Sequence, residues 1–232
     1  MVKIKFCGLV RKDDLMIACG LGVDFVGLVL YAKSPRALQL SDAWELRRAL
    51  PSSVPCVGLF VNAHPEHVHA VHRRLGLDLI QFHGDESPQR CLLSSPVSFW
   101  RAVRMQHAKS LDQAIRDFDL QANNRVEVYK KVSCEAFLVD ADAKSAYGGT
   151  GHAFDWSWLE SSKYRPERLV LGGGLGPDNV KQAIQQLKPW AVDVSSGIQG
   201  ASPRVKDAGK MEAFVDAVCS VTFTKRPIDE AL

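Results

Sequence analysis

The sequence predicts an α/β protein, a (β/α)8 barrel whose parallel sheet is closed, and three observations carry that prediction. Eight short runs rich in β-branched and apolar residues alternate with amphipathic stretches, the pattern of repeated βα units. Most of these runs are almost continuously apolar, as strands are when both faces of a sheet are covered. Eight units in 232 residues is about 29 residues each, the size of a βαβ repeat, which favours a closed barrel over an open doubly wound sheet.

Taken in order, the first strand is Ile4–Cys7 and its helix Lys12–Cys19, stopped by Gly20 and Gly22. The second strand, Asp24–Leu30, leads to helix Ser41–Leu50, with Ser41 as the expected N-cap. Strand Val54–Val61 is followed by helix Pro65–Leu75, which has a first-turn proline and Gly76 as its stop. Strand Leu77–Phe82 precedes helix Ser87–Ser94, and strand Ser98–Met105 precedes helix Leu111–Phe118. The polar stretch 119–133 reads as a loop or an ill-formed helix extension. Strands Ala136–Asp140, Arg168–Leu171 and Ala191–Ser195 pair with helices Asp155–Ser161, Pro177–Leu187 and Lys206–Val218, and Pro177-Asp178 is read as a helix start. One barrel domain is expected over 1–221, with a frayed polar tail over 222–232. This is the TIM-barrel architecture.

Composition excludes other classes. With 29 Lys+Arg against 26 Asp+Glu, a formal net charge of +3, the chain lacks the basic stripe of a nucleic-acid binder and suits a small anionic ligand. The longest apolar stretches, such as Phe25 to Tyr31, fall short of the ~18 residues a membrane span needs. Lys3 and Lys5 interrupt the N-terminus where a signal peptide keeps an unbroken apolar core, so a cytoplasmic protein without a membrane partner is expected. The six cysteines form no CxxC pair and no framework spacing, and read as reduced thiols.

Barrels carry their chemistry at the C-terminal ends of the strands. That rule selects Cys7 after the first strand, Arg36 in the loop after the second, His83-Gly84-Asp85 after the fourth, Asp140 at the end of the sixth, and the loops after the seventh and eighth. The last two, Gly172-Gly173-Gly174-Leu175-Gly176 and Ser195-Ser196-Gly197, read as a phosphate site, because glycine lets backbone N–H groups approach an anion and a helix N-terminus adds its positive dipole end. Neither GxGxxG nor GxxxxGK[ST] fits. Cys7 at the mouth can act as base or nucleophile if its thiol, ordinarily near a pKa of about 8.5, is lowered by positive charge, whereas Cys56 in mid-strand reads as core. His64, His67, His69 and His72 read as a solvated helix face rather than a zinc site, and no metal is expected.

With these positions in place, the chain resembles the phosphoribosylanthranilate isomerase family, barrel enzymes of tryptophan biosynthesis. The motifs that carry the resemblance are Lys5-Phe6-Cys7-Gly8-Leu9, Ser34-Pro35-Arg36, Val57-Gly58-Leu59-Phe60-Val61, Gln81-Phe82-His83-Gly84-Asp85-Glu86, Leu138-Val139-Asp140, Gly148-Gly149-Thr150-Gly151 with Phe154-Asp155-Trp156, Gly173-Gly174-Leu175 with Pro177-Asp178-Asn179-Val180, and Asp193-Val194-Ser195-Ser196-Gly197. They run in family order from residue 3 to about residue 210.

The resemblance implies an Amadori rearrangement of N-(5-phosphoribosyl)anthranilate to 1-(2-carboxyphenylamino)-1-deoxyribulose 5-phosphate, without cofactor or metal. It implies Asp140 as the general acid on the furanose ring oxygen and Cys7, as thiolate, as the base at C2. It also implies Arg36 on the anthranilate carboxylate, phosphate on Gly173, Gly174, Ser196 and Gly197, and Asp193 close to the substrate. The partner is then a phosphorylated small molecule, with no nucleic acid, on a monomer or homodimer.

Three positions depart from the family pattern: Phe6 where Ile is usual, Gln199 where Glu is more common, and Arg204 where Gly is more common. Two competing readings are weighed against this one. The analogous isomerisation in histidine synthesis uses a twofold-repeated barrel with an Asp at each catalytic strand end, but this chain shows no half-to-half repeat and has Cys7. A catalytically dead sugar-phosphate-binding barrel is opposed by the presence of both Cys7 and Asp140.

Overall fold

The computed structural model describes residues 1–123, 132–141 and 154–221. Its elements alternate as β1 (Lys3–Cys7), α1 (Lys12–Gly20), β2 (Phe25–Val29), α2 (Leu40–Ala49), β3 (Cys56–Phe60), α3 (Pro65–Leu75), β4 (Leu79–Phe82) and α4 (Pro88–Ser94). They continue as β5 (Phe99–Met105), α5 (Ser110–Asn123), β6 (Cys134–Ala141), α6 (Ser157–Glu160), β7 (Leu169–Leu171), α7 (Val180–Leu187), β8 (Ala191–Val194), a 3₁₀ turn (Ser196–Ile198) and α8 (Ala208–Cys219). Each strand pairs in parallel with the next and β1 pairs with β8, which closes the barrel.

Strand alternation divides the core. Phe25, Val57, Trp100, Ala102, Ala136, Leu138, Val170 and Ala191 pack on one another inside the barrel. The large Trp100 ring fits because its neighbours Ala102, Ala136 and Ala191 are small, and Phe25 meets it edge-on at 4.9 Å. The alternate residues of the same strands, such as Phe99, Val103 and Met105, face the helices and pack with Leu111, Ile115 and Phe118 of α5. At the N-terminal end, aspartates in front of a strand tie it to the strand before. Asp24 accepts from the Ile4 amide and Asp78 from the Cys56 amide, each at 2.8 Å.

Helix ends differ from the sequence reading where side chains find other partners. Ser41 is not an N-cap: α2 begins at Leu40, and the Ser41 hydroxyl donates to Asp42. Pro177-Asp178 does not start α7, because Asn179 folds back, accepting from the Gly176 amide and donating to the Gly174 carbonyl, both at 2.9 Å, so the helix begins at Val180. The α5 helix continues to Asn123, so the first part of the polar stretch is helical. The predicted helix Asp155–Ser161 is reduced to the single turn of α6. Residues 124–131, the Gly148-Gly149-Thr150-Gly151 motif and the tail 222–232 lie outside the described residues.

Candidate active site

Because side chains alternate along a strand, Lys5 and Cys7 point the same way from β1, into the barrel below its mouth. Lys5 is fully buried and donates to Asp193 Oδ1 of β8 at 2.8 Å, its register partner across the β1–β8 pair. Its Nζ also lies 5.9 Å from the Trp100 ring centroid, so the interior layer of apolar side chains is roofed by an ion pair. Burial works against the Lys5 charge, but the Asp193 carboxylate and Cys7 outweigh it and hold the ammonium above its ordinary pKa. Burial also pushes the Cys7 thiol up, against the pull of Lys5, and Asp193 adds to the rise.

A second lysine reaches the same point from the segment before α8. Lys206 is buried, and its Nζ donates to the Cys7 carbonyl at 3.0 Å and the Ser195 carbonyl at 2.8 Å, joining the ends of β1 and β8. Its backbone amide donates to Asp14 Oδ2 at 3.0 Å. Burial, and then the nearby Arg36 cation, push the Lys206 ammonium down to about 8.

Arg36 lies over the end of β1: a Cβ on Gly8 would stand 2.5 Å from Arg36 Cδ and 3.2 Å from Ser195 Oγ. Only 6% of Arg36 is exposed, and its Nη2 donates to Gln199 Oε1 at 2.6 Å. Its Nε is buried without a hydrogen-bond partner among the described residues. Burial lowers the guanidinium pKa, and proximity to Cys7 opposes that change.

Three strands from β1 around the ring, Asp140 near the end of β6 is buried. Its Oδ1 accepts from the Ala141 amide at 2.8 Å, and its Oδ2 lies 3.1 Å from His83 Nε2, just beyond β4. His83 Nδ1 in turn is 2.8 Å from Gln81 Nε2. Gly173, at φ +77°, presses on this carboxylate from β7, since a Cβ there would lie 2.5 Å from the Ala141 amide nitrogen and 2.9 Å from Asp140 Oδ1. The left-handed turn and the close approach both demand glycine.

Gly174 follows in the same left-handed conformation at φ +67°. The two glycine loops meet at Gly197, where a Cβ would collide with the Leu175 carbonyl. Beside them opens a cavity of about 710 Å³ lined by Gly174, Gly176, Ser196, Gly197 and Lys210. Asp178 and Asp207 line the same cavity, so its charged side chains are of both signs.

The family described as N-(5'-phosphoribosyl)anthranilate (PRA) isomerase matches residues 4–217 of the chain. The chain belongs to the PRA isomerase family. An N-(5'-phosphoribosyl)anthranilate isomerase of Pseudomonas aeruginosa is 43% identical over 219 residues, covering 94% of this chain and 96% of the relative. That of Thiobacillus denitrificans is 41% identical over 214 residues, covering 92% and 96%. Among solved structures, the dimeric Thermotoga maritima enzyme, crystallised as generated monomers, superposes with a TM-score of 0.78 at 32% identity, covering 95% of this chain and all of that one. A phosphoribosyl anthranilate isomerase in complex with reduced 1-(o-carboxyphenylamino)-1-deoxyribulose 5-phosphate superposes at 0.74 with 32% identity and the same coverage.

Within this PRA isomerase fold the residues selected from the sequence fall into two groups. Cys7, Arg36 and Asp193 gather where β1, β2 and β8 end, with Ser196 and Gly197 just beyond. Asp140 stands apart, against Gly173 and His83. Sequence reasoning missed Lys5, Lys206 and Gln81. A lysine alternating with a mouth cysteine inside an apolar strand was the available signal, since a buried ammonium needs a carboxylate partner.

Proposed function

We propose that the chain catalyses the Amadori rearrangement of N-(5-phosphoribosyl)anthranilate to 1-(2-carboxyphenylamino)-1-deoxyribulose 5-phosphate in tryptophan biosynthesis, with Asp140 as general acid and Cys7 as general base. The observation that carries the assignment is that a carboxyl and a thiol end strands three apart around one mouth, each held by its own buried partners. Asp140 delivers a proton to the furanose ring oxygen, the C1–O bond breaks, and the nitrogen lone pair forms the Schiff base. Cys7, as thiolate, takes the C2 proton to give the enolamine, which gains a proton at C1 and loses one from O2 to become the ketone.

A buried thiol raised above its ordinary pKa is a weak base source until a positive charge arrives. The protonated Schiff base supplies one next to C2, beside the Lys5 ammonium already in contact with the sulfur. Ring opening at Asp140 therefore prepares the proton transfer at Cys7.

Arg36, with its free Nε and planar fork, grips the anthranilate carboxylate. Gly173, Gly174, Ser196 and Gly197 receive the phosphate, and Asp193 holds Lys5 in place under the sugar. The chain works as a single barrel domain over 1–221, in the cytoplasm, on a phosphorylated small molecule, with no nucleic acid and with no cofactor or metal in these steps. No helix among the described residues is long and apolar enough to cross a membrane. Sedimentation separates monomer from homodimer. The decisive assay is loss of phosphoribosylanthranilate fluorescence. Cys7→Ala and Asp140→Asn are each expected to lower kcat by about 10²- to 10⁴-fold with little change in KM, and unimpaired turnover removes that residue from the mechanism.

A further inference from the structure

We infer that Arg204 is a positioning residue for Arg36, clasping the loop after β2 to the segment before α8 so that the Arg36 guanidinium is presented to the carboxylate of the substrate. The inference rests on the proposed role of Arg36 as carboxylate anchor.

Arg204 Nη1 donates to the Ala37 carbonyl at 2.9 Å and reaches the Pro35 carbonyl at 3.5 Å, the two residues that flank Arg36. From the same segment, Gln199 Oε1 accepts from Arg36 Nη2 at 2.6 Å. Gln199 is itself fixed, since its carbonyl accepts from Lys210 Nζ at 2.9 Å and it pairs in an antiparallel bridge with Lys206. One segment thus holds both the backbone and the head group of Arg36. Within the loop, Ser34 N–H bonds to Tyr31, Ala37 N–H to Ser34 and the Arg36 amide to the Ser34 hydroxyl, while Leu38 N–H returns to the Val29 carbonyl at the end of β2; Gln199 and Arg204 add the bonds across to the segment before α8.

Both clasp residues are among the three positions at which the sequence departs from the pattern of the family it resembles. Gln199 orients the guanidinium as a neutral acceptor, so the Arg36 charge remains available to an incoming carboxylate. Arg204 supplies a cross-loop tether that glycine could not. A planar fork rewards such fixing, because its two parallel hydrogen bonds form only at one angle, and a displacement of about 1 Å at a positioned group can cost about a hundredfold.

Arg204 is exposed, so its truncation leaves the core intact. The test compares calorimetric binding of reduced 1-(o-carboxyphenylamino)-1-deoxyribulose 5-phosphate and of the same compound without its carboxyl group, in the unaltered protein and in Arg204→Ala. The unaltered protein is expected to prefer the carboxylated ligand by about ten- to a hundredfold, the worth of a hydrogen bond to a charged group. Arg204→Ala should bind the carboxylated ligand about tenfold more weakly and the other within about twofold of the unaltered protein. Equal discrimination in the two proteins, or an equal loss for both ligands, overturns the positioning role while leaving the Arg36 anchor standing. No discrimination in the unaltered protein overturns the anchor itself, and the clasp with it.

Discussion

His83 Nε2 lies 3.1 Å from Asp140 Oδ2, and the other nitrogen of the same ring is 2.8 Å from Gln81 Nε2. With the Gln81 amide donating, Nδ1 accepts and Nε2 carries the proton given to the carboxylate. Gln81 Oε1 is then buried without a partner. Turning the amide over places Oε1 on a protonated Nδ1 and leaves Nε2 as an acceptor for the proton of Asp140 itself. The two orientations of the Gln81 amide thus go with the two imidazole tautomers, one donating to a carboxylate at Asp140 and the other accepting from a carboxyl there.

From this, His83→Ala is expected to lower kcat about ten- to a hundredfold, the cost of a misplaced catalytic group, with KM changed less than threefold or so. Steady-state fluorescence kinetics decide it. A rise in KM at constant kcat would make His83 a loop-ordering residue instead.

The thiol of Cys7 gives a second expectation. Burial raises it, and of its two lysine neighbours Lys206 is pushed down to about 8 and so is largely neutral where a raised thiol ionises, whereas Lys5 keeps its charge. Lys5→Met should shift the pH profile of Cys7 alkylation, followed by peptide-resolved mass spectrometry, to still higher pH. Lys206→Met should move it much less. The reverse order would mean that Lys206 governs the thiol.

The barrel was legible because its strands are buried on both faces and therefore read as apolar runs. Helix starts were less so: Ser41 found Asp42, and Asn179 found the glycine loop, neither of which the helical pattern encodes. Candidate site residues could be picked where position along a repeat selects them, at strand ends and in the loops that follow. Their supports were not, since Lys5 and Asp193 are 188 residues apart in the chain and Arg204 and Ala37 are 167 apart. Such pairs arise only when the barrel closes. Gln199 and Arg204 stood out in the sequence as departures, but their common target, the Arg36 loop, is visible only in the structure.

Lys206 ties the ends of β1 and β8 through two buried carbonyls, and its titration gives that tie a pH signature. Removing the donor in Lys206→Met leaves both carbonyls unpaired and should cost roughly 2 to 4 kcal/mol at pH 7, or roughly 5 to 15 °C in Tm. The folded pKa, about 8, lies below the ordinary lysine value of 10.5. Between those values the unfolded chain holds a proton that the folded chain has released, so the contribution of this group to stability rises with pH across that window. The gap in stability between the unaltered protein and the variant should therefore widen from pH 7 to pH 10, by roughly 2 to 3 kcal/mol. Parallel melting curves measure it, and a constant or narrowing gap would contradict the assignment.

Gly173 joins the proposed phosphate loop to the proposed acid, and that double contact separates its behaviour from that of its neighbours. A methyl group at Gly173 must displace the Ala141 amide or Asp140 Oδ1, and it forces a φ of +77° on a residue with a Cβ. The Asp140 carboxyl, held by that amide and by His83, moves with it. Gly173→Ala is therefore expected to lower kcat about ten- to a hundredfold as well as to raise KM. Ser196→Ala removes one hydroxyl from the loop after β8, two strands on from β6 and without a hydrogen bond to Asp140 among the described residues, and should raise KM about tenfold at nearly constant kcat. Steady-state kinetics on the two variants check the contrast. If Gly173→Ala raised KM alone, the Gly173 contact with Asp140 would have no part in placing the acid.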